Sequence, residues 1–360
     1  MRILWFNHRD IRHPLAGGAE RTIHEVGKRL ARRGHEVHLA SVNPGNLTPD
    51  EVIDGVMIHR ANGNIAAHLL VPFMIRKVKP DFIVDSMAHV VPWFSPFFTR
   101  AKVIVFFFHL HARSLPGQVS TPTAKLLTWL ERIYPLIYAR NTFVTELSTG
   151  VDDLTKLGIP SSHIIKIPLG VDTKLFKPGR KTNKPSLIYF GGMKDYKRPW
   201  FALEVLKMLP QSDGVTLTVV GDGNIVEKMK GMSNSYGLDK RVRFTGRIPD
   251  SELAYLVGAS WANLHFSTTE GFGLSIIEAA AAGTPTVALD TPGVSEVVNG
   301  FGLGKVVKNL DEIPSALHEV IFEYKSWSGS VAASAEAFSW DKCAKMWEEL
   351  FNEDISDPTA

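Results

Sequence analysis

The chain has 360 residues, of which 44% are hydrophobic and 21% charged, and a formal net charge of +3. That length exceeds one ordinary core and suits two domains of roughly 150–180 residues each. So small a basic surplus argues against a dedicated nucleic-acid binder. The single cysteine, Cys343, rules out an internal disulfide framework and a cysteine-rich zinc site.

The opening residues Met1–Phe6 read as a first β-strand rather than a signal peptide. No apolar run approaches the roughly 20 residues that span a bilayer. The expected location is therefore the cytoplasm, with peripheral contact at the inner face of the cell membrane as an added expectation.

Short β-branched and aromatic runs at Arg2–Phe6, Val37–Val42, Val56–His59, Phe82–Asp85, Val103–Phe108 and Thr142–Thr145 predict buried parallel strands. Between the first two, Ala19–Arg33 sets Ile23, Val26 and Leu30 on one helical face and Lys28, Arg29, Arg32 and Arg33 elsewhere, and Gly34 supplies the stop. The tract Asp172–Pro185 is rich in Lys, Pro and Gly and has no apolar period, so it reads as a linker. A second series of strands follows at Leu187–Phe190, Leu217–Val220, Val242–Thr245, Ala262–Phe266 and Pro285–Leu289. Helical patterns such as Phe201–Leu209 and Ile276–Ala282 separate them. The segment Val331–Asn352, with Trp340 and Trp347, is predicted helical.

This alternation predicts an α/β fold of two Rossmann-like domains, 1–172 and 186–335, joined by a linker over 173–185 and followed by a helical segment over 336–360. Ligands of open α/β sheets bind beyond the carboxyl ends of the strands. Both domains are therefore expected to present loops to a cleft between them.

The first loop reads His13-Pro14-Leu15-Ala16-Gly17-Gly18-Ala19-Glu20-Arg21. Gly17 and Gly18 permit close backbone approach, and the helix start beyond them suits a phosphate. The competing reading is a tight turn in which the glycines serve geometry alone. The pattern is not G-x-G-x-x-G and no acid follows the second strand suitably, which disfavours NAD.

The second motif is the more specific. Glu270-Gly271-Phe272-Gly273-Leu274-Ser275 lies between a strand and a helix, and Glu278 falls within the first two turns of that helix. Amides from Gly271 to Ser275 suit diphosphate oxygens without a metal. Glu270 would reach sugar hydroxyls, and Glu278 would accept hydrogen bonds from a ribose. A helix-capping acid with a solvated glutamate is the competing reading, and the intervening Gly-Phe-Gly speaks against it. No His-Glu-x-x-His pattern occurs, so no metal site is expected.

This segment resembles the donor-site signature of glycosyltransferase family 4, a group of retaining enzymes with the GT-B fold. Gly17-Gly18-Ala19-Glu20 resembles the same family's first phosphate- and acceptor-facing loop, Ile167-Pro168-Leu169-Gly170-Val171-Asp172 its interdomain hinge, and Val220-Gly221-Asp222-Gly223 and Phe244-Thr245-Gly246 match the family as well. The resemblance implies two facing domains and a terminal helix that crosses back to the N-terminal, acceptor-binding domain. It implies donor contacts from Gly17, Gly18, Lys197, Arg198, Arg247, Ile248, Gly271, Phe272, Gly273, Leu274 and Glu278. Catalytic roles fall to His109, Lys197 and Glu270. Two departures stand out. Gly192 replaces the usual arginine, so that either Lys194 or Arg198 substitutes or activity is weaker, and Leu110 follows His109, with His111 competing for its role.

The implied reaction moves a hexosyl unit from a nucleoside-diphosphate sugar, UDP- or GDP-linked, to an acceptor hydroxyl, with no resident cofactor. The acceptor would be a glycan, polysaccharide or lipid-linked glycan in cell-surface glycan biosynthesis. A non-catalytic sugar-nucleotide-binding subunit of a glycan-assembly complex is the alternative. The segments Ala66–Lys79, Val90–Arg100 and Lys125–Arg140 mix apolar and basic residues, which suits an anionic membrane surface. Buried helix faces with solvated basic ends are the competing reading.

Overall fold

The computed structural model describes residues 1–110 and 120–356, which form two compact units. Residues 1–169 form the first together with the helix Trp340–Ser356, and residues 170–339 form the second.

The first unit holds β1 (Arg2–Phe6), β2 (Glu36–Val42), β3 (Asp50–Ile53), β4 (Val56–Ala61), β5 (Phe82–Met87), β6 (Lys102–Phe107), β7 (Thr142–Thr145) and β8 (Ile164–Lys166). Their order is β3-β4-β2-β1-β5-β6-β7-β8, parallel except for the antiparallel β3–β4 pair. The alternation of short apolar runs with helices explains the parallel core, because each crossover buries one sheet face. The β3–β4 hairpin was not expected. Asp54 and Gly55 form its two-residue turn with φ of 51° and 89°, the double left-handed geometry of a primed turn.

The helix Gly18–Arg32 buries Ile23, Val26 and Leu30 as its periodicity predicts. The terminal helix packs beside it: Arg29 bonds Asp341, and Arg33 and His35 both bond Glu348 at 2.8 Å. On its apolar side Trp347 sits 5.1 Å from the Trp5 ring and 5.2 Å from that of Phe106, while Phe351 meets Phe82 at 4.9 Å. Trp340 and Trp347 are both buried packing residues.

The second unit holds β9 (Ser186–Phe190), β10 (Thr216–Val220), β11 (Val242–Gly246), β12 (Ala262–His265), β13 (Thr286–Leu289) and β14 (Gly304–Val307). All are parallel, in the order β11-β10-β9-β12-β13-β14. Leu187, Tyr189, Leu217, Val219, Leu264 and Phe266 lie in its core.

The helical segment predicted over Val331–Asn352 is interrupted. A helix ends at Ala335, Glu336–Phe338 makes a 3-10 turn, and Ser339 is extended before the next helix begins at Trp340. Ser339 forms a parallel bridge with Val171, whose N–H donates to the Phe338 carbonyl. The chain therefore enters and leaves the second unit side by side.

Residues 172–185 contain no helix or strand, but they are packed down. Phe176 is fully buried. Lys181 Nζ donates to the Ser260 carbonyl (2.6 Å), the Gly283 carbonyl (3.0 Å) and Thr284 Oγ1 (2.8 Å). Its ammonium thereby satisfies the carboxyl ends of two helices, where a cation is favoured. Burial pushes its pKa down to about 8.

Candidate active site

In the second sheet the chain starts at β9, builds outward to β10 and β11, then returns to add β12 on the other side. The switch point of this order lies between β9 and β12, where connecting loops diverge and leave a crevice at the strand ends. The loop after β9 carries Lys197 and the loop after β12 carries Glu270. The two meet there, Lys197 Nζ lying 3.1 Å from Glu270 Oε2.

The backbone stitches these loops together. The Thr268 N–H donates to the Tyr196 carbonyl at 2.8 Å, and its hydroxyl reaches the same oxygen at 3.2 Å. The Tyr189 hydroxyl donates to the Lys197 carbonyl at 3.2 Å. Arg198, in a left-handed conformation with φ of 47°, sends Nε to the Phe266 carbonyl at 2.7 Å and lays its guanidinium over the Phe201 ring. Arg198 thus braces the loop. Lys194 is exposed, near the Tyr196 ring.

Glu270 also accepts a hydrogen bond from Ser267 Oγ at 3.1 Å, and His265 Nε2 stands 3.5 Å from the same oxygen. Burial works to raise the Glu270 carboxyl, but the Lys197 ammonium and the His265 ring outweigh it and hold the group well below the usual carboxylate range. Burial likewise works to lower Lys197, and the Glu270 carboxylate reverses this and raises it. Both side chains are therefore ionised across the neutral range. They retain 20% and 16% of their exposure, so the pair is shielded yet reachable.

Immediately beyond Glu270, Gly273 (φ 81°) caps the helix Leu274–Ala281. The Ile276 N–H already bonds the Gly273 carbonyl, which leaves the amides of Leu274 and Ser275 to head the helix. Phe272 is buried with its ring against Phe338, so only its main chain remains for a ligand. Glu278 is the fifth residue of the helix and is buried.

Glycines close the cradle in a way that spacing did not reveal. A Cβ on Gly221 would lie 2.1 Å from the Gly191 carbonyl oxygen, and one on Gly223 would lie 2.4 Å from that of Met193. A Cβ on Gly293, at the next helix start, would lie 2.4 Å from the Glu270 carbonyl oxygen. The loops after β9 and β10 thus interlock backbone to backbone, as do the Glu270 loop and the helix Pro292–Gly300. Arg247, exposed, and Ile248, half-buried, follow β11.

In the first unit the switch point lies between β1 and β5. The loop after β1 leads to Gly17, whose N–H donates to Glu20 Oε2 at 2.7 Å. Gly18 begins the helix. Asp10 anchors the same loop. Buried with Arg60, it accepts from Arg60 Nε at 2.7 Å, Arg60 Nη2 at 3.0 Å and Ser41 Oγ at 2.9 Å. His109 lies two residues past β6 and is half-buried. His111 lies outside the described residues. Among the described residues no cluster of His, Cys, Asp or Glu could hold a metal, and no helix is long and apolar enough to cross a membrane.

Two doubly wound sheets, parallel but for the β3–β4 hairpin, with a charged pair at the second switch point and a terminal helix returned to the first unit, have the architecture of the GT-B glycosyltransferase class. Sucrose-phosphate synthase from Thermosynechococcus elongatus shares this fold, with a TM-score of 0.82 at 18% identity over 99% of each chain. Residues 16–175 match the model of Glycosyltransferase Family 4, and residues 171–322 match that of glycosyl transferases group 1. The chain belongs to glycosyltransferase family 4. Glycogen synthase of Mycobacterium tuberculosis is 26% identical, covering 93% of this chain and 91% of its own length. GDP-mannose:cellobiosyl-diphosphopolyprenol alpha-mannosyltransferase of Komagataeibacter xylinus is 22% identical, covering 94% and 90%. The protein is a glycosyltransferase of glycan biosynthesis.

Proposed function

We propose that the chain transfers a hexosyl unit from a UDP- or GDP-sugar to an acceptor hydroxyl, with retention of anomeric configuration and without a metal. The observation that carries this reading is the Lys197–Glu270 pair at the switch point, directly before a glycine-capped helix start. As the diphosphate leaves, negative charge grows on it and the anomeric carbon becomes cationic. The Leu274 and Ser275 amides and the Lys197 ammonium oppose the first change, in the place a metal takes in other transferases. Glu270 accepts from sugar hydroxyls, Glu278 from the ribose, and His109 positions the sugar. The acceptor attacks the face from which the diphosphate departs. One relative is named for GDP-mannose and a diphosphopolyprenol-linked acceptor, which favours a lipid-linked glycan here.

A thermal-shift screen against UDP-, GDP- and ADP-sugars, with and without EDTA, tests donor and metal together. Lys197→Ala should lower donor hydrolysis by about 100-fold. Tight donor binding with no transfer or hydrolysis in the native protein would favour the non-catalytic subunit instead. Product with an inverted anomeric proton signal would end the retaining assignment.

A second reading, peripheral binding at the inner face of the cell membrane, has its own support. On the helix Asn64–Val78, Ile65, Leu69 and Phe73 repeat at helical spacing and are exposed, followed by exposed Arg76 and Lys77. Phe97, Phe98, Trp129 and Leu136 are exposed in the other two expected segments. Apolar side chains beside cations suit an anionic lipid surface. Flotation with liposomes should increase with anionic lipid, and equal binding to neutral liposomes would remove the electrostatic part of this reading.

A further inference from the structure

Glu270 offers its two oxygens unequally. Lys197 Nζ and Ser267 Oγ both bond Oε2, and His265 Nε2 faces that same atom, whereas Oε1 accepts no hydrogen bond among the described residues. His265 closes β12 and is buried, and its Nε2 makes no hydrogen bond despite lying 3.5 Å from Oε2. Its Nδ1 lies 3.5 Å from Ser275 Oγ, on the second residue of the glycine-capped helix. The ring therefore spans the carboxylate and the helix start, with one nitrogen turned to each.

Lys197 has two claims on it. Without ligand it belongs to Glu270, and in the donor site it must serve a diphosphate. Its ammonium sits on a flexible four-carbon stem, so it can turn between them. The carboxylate it leaves is largely shielded from water, and a shielded carboxylate that loses its partner is costly.

We propose that His265 is a positioning residue that takes over Glu270 Oε2 when a donor diphosphate draws Lys197 away, keeping Oε1 turned toward the sugar. The inference rests on the donor-site reading above. A neutral ring suffices. The tautomer with hydrogen on Nε2 donates to Glu270 and leaves Nδ1 as an acceptor for the Ser275 hydroxyl. Ser267 stays on Oε2 throughout, so the carboxylate keeps two donors during the exchange. No bond to carbon or phosphorus is made or broken in this step.

The test uses the full chain with labelled histidine nitrogens, followed by NMR, with UDP and GDP as probes. Binding of either nucleotide should move the His265 Nε2 signal toward a stronger hydrogen bond. Lys197→Met should move it the same way with no nucleotide present, because Glu270 has then already lost its ammonium. In binding measurements His265→Leu should weaken UDP or GDP about ten-fold, and His265→Gln, which keeps an N–H donor, should recover most of that loss. An Nε2 signal unmoved in a folded Lys197→Met protein overturns the proposal, and so does a His265→Gln protein that binds as poorly as His265→Leu. If the native protein binds neither nucleotide while Lys197→Met still moves the signal, the donor-site reading has failed, and the exchange falls with it.

Discussion

Each half of the molecule places a carboxyl close to the switch point of its own sheet, and the two environments are opposite. In the first half Asp85, on β5, is fully buried, and the donors it meets among the described residues are neutral: the Ser95 main chain, Ser95 Oγ at 2.6 Å and the Tyr138 hydroxyl at 2.7 Å. Burial pushes its pKa up to about 6, and the two hydroxyls only partly offset that. In the second half Glu270 meets an ammonium and is held well below the carboxylate range. Asp85 therefore works as a packing group that joins a strand to the segments behind it, whereas Glu270 keeps a charged oxygen available at the rim. The glycines divide in the same way. Gly221, Gly223 and Gly293 are required by neighbouring backbone, while a Cβ on Gly17 would find nothing nearer than Glu20 Oε2 at 3.6 Å.

The largest effect that could break this contrast is expected at Gly221. Its φ is 136°, and a methyl group there would strike the Gly191 carbonyl oxygen, which has no flexible end to move. Gly221→Ala should cost about 3 kcal/mol or more and lower the urea midpoint of the second unit. A loss below about 1 kcal/mol would mean that the interlocked loops can separate cheaply.

Asp85 comes next. Its folded pKa of about 6 lies above its ordinary value of 3.8, so the folded state binds the proton more tightly than the unfolded chain. The stability from this group is present below pH 3.8 and is lost as pH rises to about 6. A difference of that size in proton affinity corresponds to about 3 kcal/mol. The native protein should lose roughly that much more stability than Asp85→Asn between pH 4 and pH 7, as measured by urea unfolding at each pH. Parallel pH profiles for the two proteins would remove the distinction between the two carboxyls.

The sequence exposed charge more readily than it exposed contact. Glu270 stood out because a Glu-Gly-Phe-Gly run follows a recognisable strand, whereas Lys197 was reached only through the family resemblance. His265 and Ser267 did not, since their importance arises from a side chain that reaches back from the loop onto the strand end. The glycines that interlock carry no periodic signal, because their partners are carbonyl oxygens from another loop. The β3–β4 hairpin is a different kind of omission. Asp54-Gly55 is a strong local turn signal, but Asp50–Ile53 lacks the alternation that marks a strand. The helix break at Ser339 has no proline or glycine to announce it. The bridge to Val171 decides it, and that contact joins residues far apart in sequence. Lys181 lay in a tract whose composition suggested solvent, yet its ammonium fills a site defined by two helix ends.

The smallest expected effect on stability is the most informative about the first half. Gly17 has φ of −135° and ψ of −150°, an extended conformation open to other residues, and a methyl group there has room. Its N–H bond to Glu20 comes from the main chain and survives substitution. Gly17→Ala should therefore leave unfolding within about 0.5 kcal/mol of the native protein. Nothing among the described residues of the first unit requires glycine at this position, so a loss of transfer in a fully folded Gly17→Ala protein points to a ligand that approaches the backbone there. We expect such a loss, with a raised KM for one substrate. Which substrate responds separates the two roles expected of this loop: a donor effect assigns it to the phosphates, an acceptor effect to the incoming glycan. Unchanged kinetics for both would leave the paired glycines as a turn and nothing more, and would confine small-molecule recognition by glycine-bracketed loops to the second half.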